Sequence, residues 1–150
     1  MGQPVVTGIK VVKLPVSDLA ASLAWYRDVF GAEPYLEFPD ESGVVRGVAC
    51  TLPGIPEGIA LRESAEHAAG LSGFNAVVFR VPGRADVEAW LAHLDGLGVR
   101  HSPLIEATTG WMVVFSDPDG IEHHVYSDEG HGVDVTGRAG YGRTSEPPAG

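Results

Sequence analysis

Two stretches of this chain are written in one pattern at an offset of 65 residues, as from Val16 to Val81 and from Trp25 to Trp90. A duplicated unit restricts the available folds more than any other feature, because each copy must make the same supersecondary structure. In the first copy, residues 9–16 form a β-branched run that predicts a strand. Ser17 and Asp18 then offer helix-capping side chains, Leu19, Leu23, Tyr26 and Phe30 recur at helical spacing, and Gly31 closes the helix. In the second copy, residues 74–81 are an apolar strand punctuated by Pro82-Gly83. Val87, Trp90, Leu91, Leu94 and Leu97 make the matching helix stripe, which Gly98 ends.

Three strand-like runs follow each helix. They are residues 33–38, 44–52 and 58–62 in the first half, with Asp40-Glu41-Ser42-Gly43 as a turn. In the second half they are residues 100–106, 111–115 and 121–126, with Asp117-Pro118-Asp119-Gly120 as the tight turn. Each half therefore reads βαβββ, an α+β arrangement, with modules at 5–63 and 74–127. Residues 64–73 are the linker, with a short helical turn expected near 64–69. From Asp128 the chain is rich in glycine and poor in large aliphatic side chains, so 128–150 is expected to be an unordered tail.

Charge and cysteine content narrow the function. Ten basic residues against twenty acidic ones give a net charge of −10, which repels a phosphate backbone, so nucleic acid is excluded as a partner. No run approaches the ~20 apolar residues of a membrane span. The N-terminus lacks the basic and then apolar pattern of a secretory signal, so a cytoplasmic location is expected. Cys50 is the single cysteine; it rules out an intrachain disulfide and reads as a buried, inert thiol. There is no G-x-S-x-G, Walker loop or dinucleotide-binding glycine pattern.

The stretch VKLPVSDLAASLAWYRDVFG at residues 12–31 and the stretch FSDPDGIEHHVY at residues 115–126 resemble the opening strand–helix and the closing hairpin of the vicinal-oxygen-chelate superfamily. That superfamily includes glyoxalase I, extradiol dioxygenases, and fosfomycin and bleomycin resistance proteins. The resemblance spans about residues 6–127. It implies two modules whose curved sheets make a half-open barrel around a cavity, with the helices outside, and it implies a homodimer. It also implies metal ligands on the first and last strand of each half, which fall here at Val11, Ala60, Ala76 and His124. Only His124 is a ligand-type residue, whereas a divalent cation needs about three protein ligands. No cofactor is therefore expected, and a divalent metal relocated to His124 and Glu122 is the alternative.

Period-two alternation sorts the strand residues into two faces. Val12, Leu14, Val16, Val77, Phe79 and Val81 fit a core under the helices, with His123 on that side too. Val11, Lys13, Ala60, Arg62, Ala76, Val78, Arg80, Glu122, His124 and Tyr126 fall on the cavity side. The expected cavity has a small apolar floor and basic or polar edges, suited to an aromatic or acidic organic molecule. The candidate ligand-binding residues are Val11, Lys13, Ala60, Arg62, Ala76, Arg80, Trp111, His124 and Tyr126. Lys13 and Arg80 could equally point past the sheet edge into water. Two functions follow. One is a metal-independent binding protein, acting by sequestration or resistance. The other is an enzyme (lyase, isomerase or dioxygenase) using a rearranged metal or a His124/Glu122 acid–base pair.

Overall fold

The computed structural model describes residues 2–145. The first repeat supplies β1 (Val12–Val16), α1 (Leu19–Phe30), β2 (Glu33–Pro39), β3 (Val45–Leu52) and β4 (Ile55–Glu63). Helix α2 (Ala65–Leu71) follows. The second repeat supplies β5 (Asn75–Val81), α3 (Arg84–Gly96), β6 (Ile105–Glu106), β7 (Gly110–Ser116) and β8 (Glu122–Gly130). The chain is α+β, built from two βαβββ modules. Each module forms one four-stranded mixed sheet, in the orders β1-β4-β3-β2 and β5-β8-β7-β6. In both, the opening strand lies parallel to the closing one and the remaining pairs are antiparallel.

The signals that start and stop α1 act as the sequence indicates. The Asp18 carboxylate accepts from the Ala21 N–H at 3.0 Å, and Gly31 adopts the left-handed conformation, φ 71°, that ends the helix. Leu19, Ser22, Tyr26, Val29 and Phe30 are its buried residues. They lie over one face of the first sheet, where Leu14, Val16, Val48, Cys50, Ile59 and Leu61 are all buried. Burial holds the Cys50 thiol above its ordinary pKa, in keeping with an inert core role.

Several boundaries differ from the sequence reading, each for a local reason. β1 begins at Val12 rather than at residue 9. Its parallel partner β4 reaches a left-handed glycine, Gly58 at φ 66°, just before Ile59, so the ladder stops at the Val12–Ile59 pair. The expected strand at 100–106 shrinks to β6, with His101 making one isolated bridge to Phe115. Pro103 has no N–H to continue that ladder. Residues 128–145 fall within the stretch expected as a tail and make the following contacts. β8 runs on to Gly130, and beyond it His131 Nε2 lies 2.6 Å from the Ala107 carbonyl. The Tyr141 hydroxyl donates to the Glu106 carbonyl at 3.1 Å, the Gly142 N–H donates to Thr108 Oγ1 at 2.9 Å, and Val135 is buried. These are polar anchors, which a count of aliphatic side chains does not register. The last five residues of the expected tail lie outside the described residues.

The chain divides into two compact units. The first comprises the residues up to Phe74 together with Asp117–Ile121, and the second comprises Asn75–Ser116 and the chain from Glu122 on. The Asp117–Ile121 turn joins the first unit because α1 and its surroundings hold it. The Tyr26 hydroxyl donates to Asp117 Oδ2 at 2.7 Å, the Ser17 N–H to Asp119 Oδ2 at 3.0 Å, and the Gly73 N–H to the Gly120 carbonyl at 2.8 Å.

Candidate functional site

The register of each sheet places the expected site residues. In the first unit Lys13 pairs with Ala60 and Pro15 with Arg62, while Ala49 also pairs with Ala60. Lys13, Pro15, Ala60 and Arg62 therefore share the face opposite α1, and Ala49 and Gly47 continue it across β3. Val11 lies one residue before β1 and is half-buried. Helix α2 packs on β1, and a pocket of about 610 Å³ opens there, lined by Lys13, Pro15, Arg62, Ser64, His67 and Leu71 among others. Lys13 and Arg62 are thus brought together, as the alternation of the strands indicates.

The pocket's charge is unbalanced by design of the register. Glu63 follows Arg62 and so turns to the other face. There its Oε1 meets the Arg46 guanidinium at 2.6 Å and its Oε2 accepts from the Leu19 N–H at 3.2 Å. The Arg46 contact holds the Glu63 carboxyl below the ordinary carboxylate range. Among the described residues no carboxylate forms an ion pair with Lys13 or Arg62. Among the described residues Glu66 is the one acid of the lining. Ser64 Oγ lies 2.7 Å from His67 Nδ1; with the hydroxyl donating, the Nε2–H of His67 is left to donate elsewhere.

Ser64, His67 and Leu71 were not singled out from the sequence. Their one local signal is the helix start: the Ser64 side chain caps α2 by accepting from the His67 N–H at 3.4 Å. That α2 then lies on β1, and so turns these residues toward Lys13, is a tertiary fact.

The second unit repeats the geometry with different chemistry. Val78 pairs with His124 and Arg80 with Tyr126, so these are the structural counterparts of Lys13–Ala60 and Pro15–Arg62. Glu122, His124 and Tyr126 share one face of β8, and His124 Nε2 sits 2.7 Å from Glu122 Oε1. Arg80 forms an ion pair with Asp128 at 3.0 Å. The Tyr126 hydroxyl accepts from the Thr109 N–H at 3.0 Å. Ala76 sits at an irregularity in the β5 ladder, between the paired residues Asn75 and Val77. Trp111 does not join His124. Met112 pairs with Tyr126, which turns Trp111 to the opposite face, where the Arg84 guanidinium lies 4.3 Å from its ring centre and His131 meets its edge. His123 lies on the helix side as expected, fully buried between the rings of Phe79 and Phe115, and burial lowers its pKa to about 4.

The donors at the four positions implied by the resemblance do not fit a metal ion. Val11, Ala60 and Ala76 present hydrocarbon. Among the described residues no three His, Cys, Asp or Glu side chains converge on a point, around His124 and Glu122 or elsewhere. Among the described residues no helix is long and apolar enough to cross a membrane.

Comparison with known proteins places the fold. The sequence model of the family described as the Glyoxalase/Bleomycin resistance protein/Dioxygenase superfamily matches residues 8–125. No curated protein is matched. Among solved structures, the chain is similar to a glyoxylase/bleomycin resistance protein/dioxygenase domain from Frankia sp. EAN1pec, with TM-score 0.65 and 24% identity over 84% of this chain and 99% of that one. It is similar to the fosfomycin resistance protein FosX from Listeria monocytogenes, with TM-score 0.64 and 17% identity over 82% and 94%. It is also similar to a lactoylglutathione lyase from Agrobacterium tumefaciens, with TM-score 0.64 and 22% identity over 82% and 95%. Another crystal of the Listeria protein holds Mn(II) and a sulfate ion.

Proposed function

We propose that this chain, which belongs to the glyoxalase/bleomycin resistance protein/dioxygenase superfamily, binds a small organic molecule with an acidic group in the pocket beside β1, without the help of a metal ion. The observation that carries this reading is the pair Lys13 and Arg62. In a chain of net charge −10, two cations line one pocket and neither is neutralised by an ion pair. A planar guanidinium grips a carboxylate by two parallel hydrogen bonds, and an ammonium beside it adds a movable point charge. Pro15 and Leu71 supply apolar wall for the body of the ligand, while Ser64 and His67 supply neutral hydrogen-bonding groups. Binding of this kind serves sequestration of a metabolite or antibiotic and requires no turnover.

A second reading rests on the His124–Glu122 contact. A histidine hydrogen-bonded to a carboxylate, here at 2.7 Å, is an arrangement that acid–base enzymes use for proton transfer. The two readings separate by calorimetry with a panel of aromatic and aliphatic carboxylates and their neutral amides. Under the binding reading, carboxylates bind and amides do not, Lys13→Met and Arg62→Met each weaken binding about tenfold or more, and His124→Ala leaves it unchanged. Carboxylate affinity indifferent to both cation substitutions would end this reading. Turnover of a bound ligand that His124→Ala abolishes would favour the enzyme.

A further inference from the structure

We infer that Lys13 and Arg62 hold the middle of the ligand rather than its end, so that the molecule is an organic acid with an apolar group on each side of its acid group. The inference rests on the reading of these two cations as the partners of an acid. The register of the first sheet sets two rows across the face opposite α1. One row is Lys13, Ala60, Ala49 and Leu36, and the other is Pro15, Arg62, Gly47 and Phe38. Pro15, with Leu71 of α2, is the apolar wall of the pocket on one side of the cations. At the other end of the rows Leu36 and Phe38 are 51% and 43% exposed, a second apolar wall on the same face. Neighbouring strands lie about 4.8 Å apart, which puts Arg62 roughly 5 Å from the strand of Pro15 and roughly 10 Å from the strand of Phe38.

Between the cations and this second wall the face is kept low. Ala60 and Ala49 each raise one methyl group, and Gly47 raises none. A Cβ at Gly47 would lie 3.5 Å from Arg62 Cδ and 3.6 Å from Phe38 Cδ2, so the Arg62 stem and the Phe38 ring border one space above that glycine. The sheet does not require small residues there, as the second unit shows. Val114 pairs with His124 as Ala49 pairs with Ala60, and Met112 pairs with Tyr126 as Gly47 pairs with Arg62. The same two places thus carry valine and methionine in the repeat, and the clearance is particular to the sheet that carries the unpaired cations. An acid with one apolar arm covers one wall and leaves the other in water. An acid with two arms covers both, and the additional apolar area removed from water adds to its affinity.

Three acids test this by calorimetry, with thermal melting of each variant as the check on folding. Diphenylacetate carries a ring on each side of its carboxylate-bearing carbon, phenylacetate carries one ring, and malonate carries none. Diphenylacetate is expected to bind the intact chain at least about tenfold tighter than phenylacetate. Leu36→Ser and Phe38→Ser are each expected to lower the ratio of diphenylacetate to malonate affinity about threefold or more, and Leu71→Ser to do the same from the α2 side. Ala49→Val builds into the floor the side chain that Val114 has in the second sheet, so it is expected to lower that ratio with the melting temperature kept. Diphenylacetate no tighter than phenylacetate, or a ratio that Leu36→Ser, Phe38→Ser and Ala49→Val all leave untouched, would overturn the inference. The reading of the pocket survives that result if Lys13→Met and Arg62→Met still weaken both acids. Binding of none of the three acids, or affinity indifferent to Lys13→Met and Arg62→Met, would overturn that reading and the inference with it.

Discussion

The contact between Tyr26 and Asp117 offers the most exacting test of how the first unit is held together. Tyr26 is fully buried, and its hydroxyl donates to Asp117 Oδ2 at 2.7 Å. The other oxygen of that buried carboxylate accepts from the Asp119 and Ile121 N–H groups, each at 2.9 Å. Burial raises the Asp117 pKa and the hydrogen bonds oppose it, the Tyr26 hydroxyl most of all. Burial together with the Asp117 charge pushes the phenol far above its ordinary range, so it serves only as a donor. Tyr26→Phe keeps the ring, its T-shaped contact with Trp25 and its stack on Phe30, so it leaves no cavity beyond the lost oxygen. What it removes is one hydrogen bond to a charged, desolvated acceptor, which costs about 1.5–3 kcal/mol. For a chain of 150 residues, at roughly 2–4 °C per kcal/mol, that lowers the melting temperature by roughly 3–12 °C. Urea titration at pH 7 measures the difference directly. A loss below about 0.5 kcal/mol would show that Asp117 finds other partners and that this hydroxyl does not fix the turn.

Three further outcomes follow from single sites. Gly58 has φ 66°, and a Cβ there would lie 1.7 Å from the Cys50 carbonyl oxygen, so Gly58→Ala must displace β3 or β4 and is expected to cost at least about 3 kcal/mol in chemical denaturation. His101 places both ring nitrogens on acceptors, the Ser102 carbonyl at 2.6 Å and the Asp95 carboxylate at 2.5 Å, and these contacts raise its pKa above the ordinary 6.5. A raised folded-state pKa gives stability that is complete below pH 6.5 and lost as pH climbs through the folded value. The stability difference between the native chain and Asp95→Asn should therefore shrink between pH 5 and 8, and a difference that grows instead would contradict the assignment. Gly110→Ala would set its Cβ 2.6 Å from the Ser127 carbonyl, so it is expected to loosen the β7–β8 pairing beside Trp111, read as a change in tryptophan fluorescence together with a lower melting temperature.

Much of this architecture is legible in the sequence because the duplication survives in the register. Lys13 and Val78 are 65 residues apart, Ala60 and His124 are 64 apart, and the structure pairs Lys13 with Ala60 and Val78 with His124. The cap residues Asp18 and Gly31 are legible for the same reason, since each acts through its own backbone neighbourhood. The face of Trp111 is not. Its direction follows from the pairing of its neighbour Met112 with Tyr126, a sheet register that nothing local to Trp111 encodes. His67 stands alone in sequence, and its place beside Lys13 comes from how α2 lies on β1. The hydrogen bonds that His131, Tyr141 and Gly142 make to β6 and the loop after it leave no periodic trace.

The central claim, that an acidic ligand is held by Lys13 and Arg62, is tested most directly by titrating isotope-labelled protein with an aromatic carboxylate while following its amide and side-chain resonances. The account predicts saturable shifts at Lys13, Arg62, Ser64, His67 and Leu71, with those around His124 left in place. Shifts centred on Glu122, His124 and Tyr126, with the β1 and α2 resonances unmoved, would contradict it.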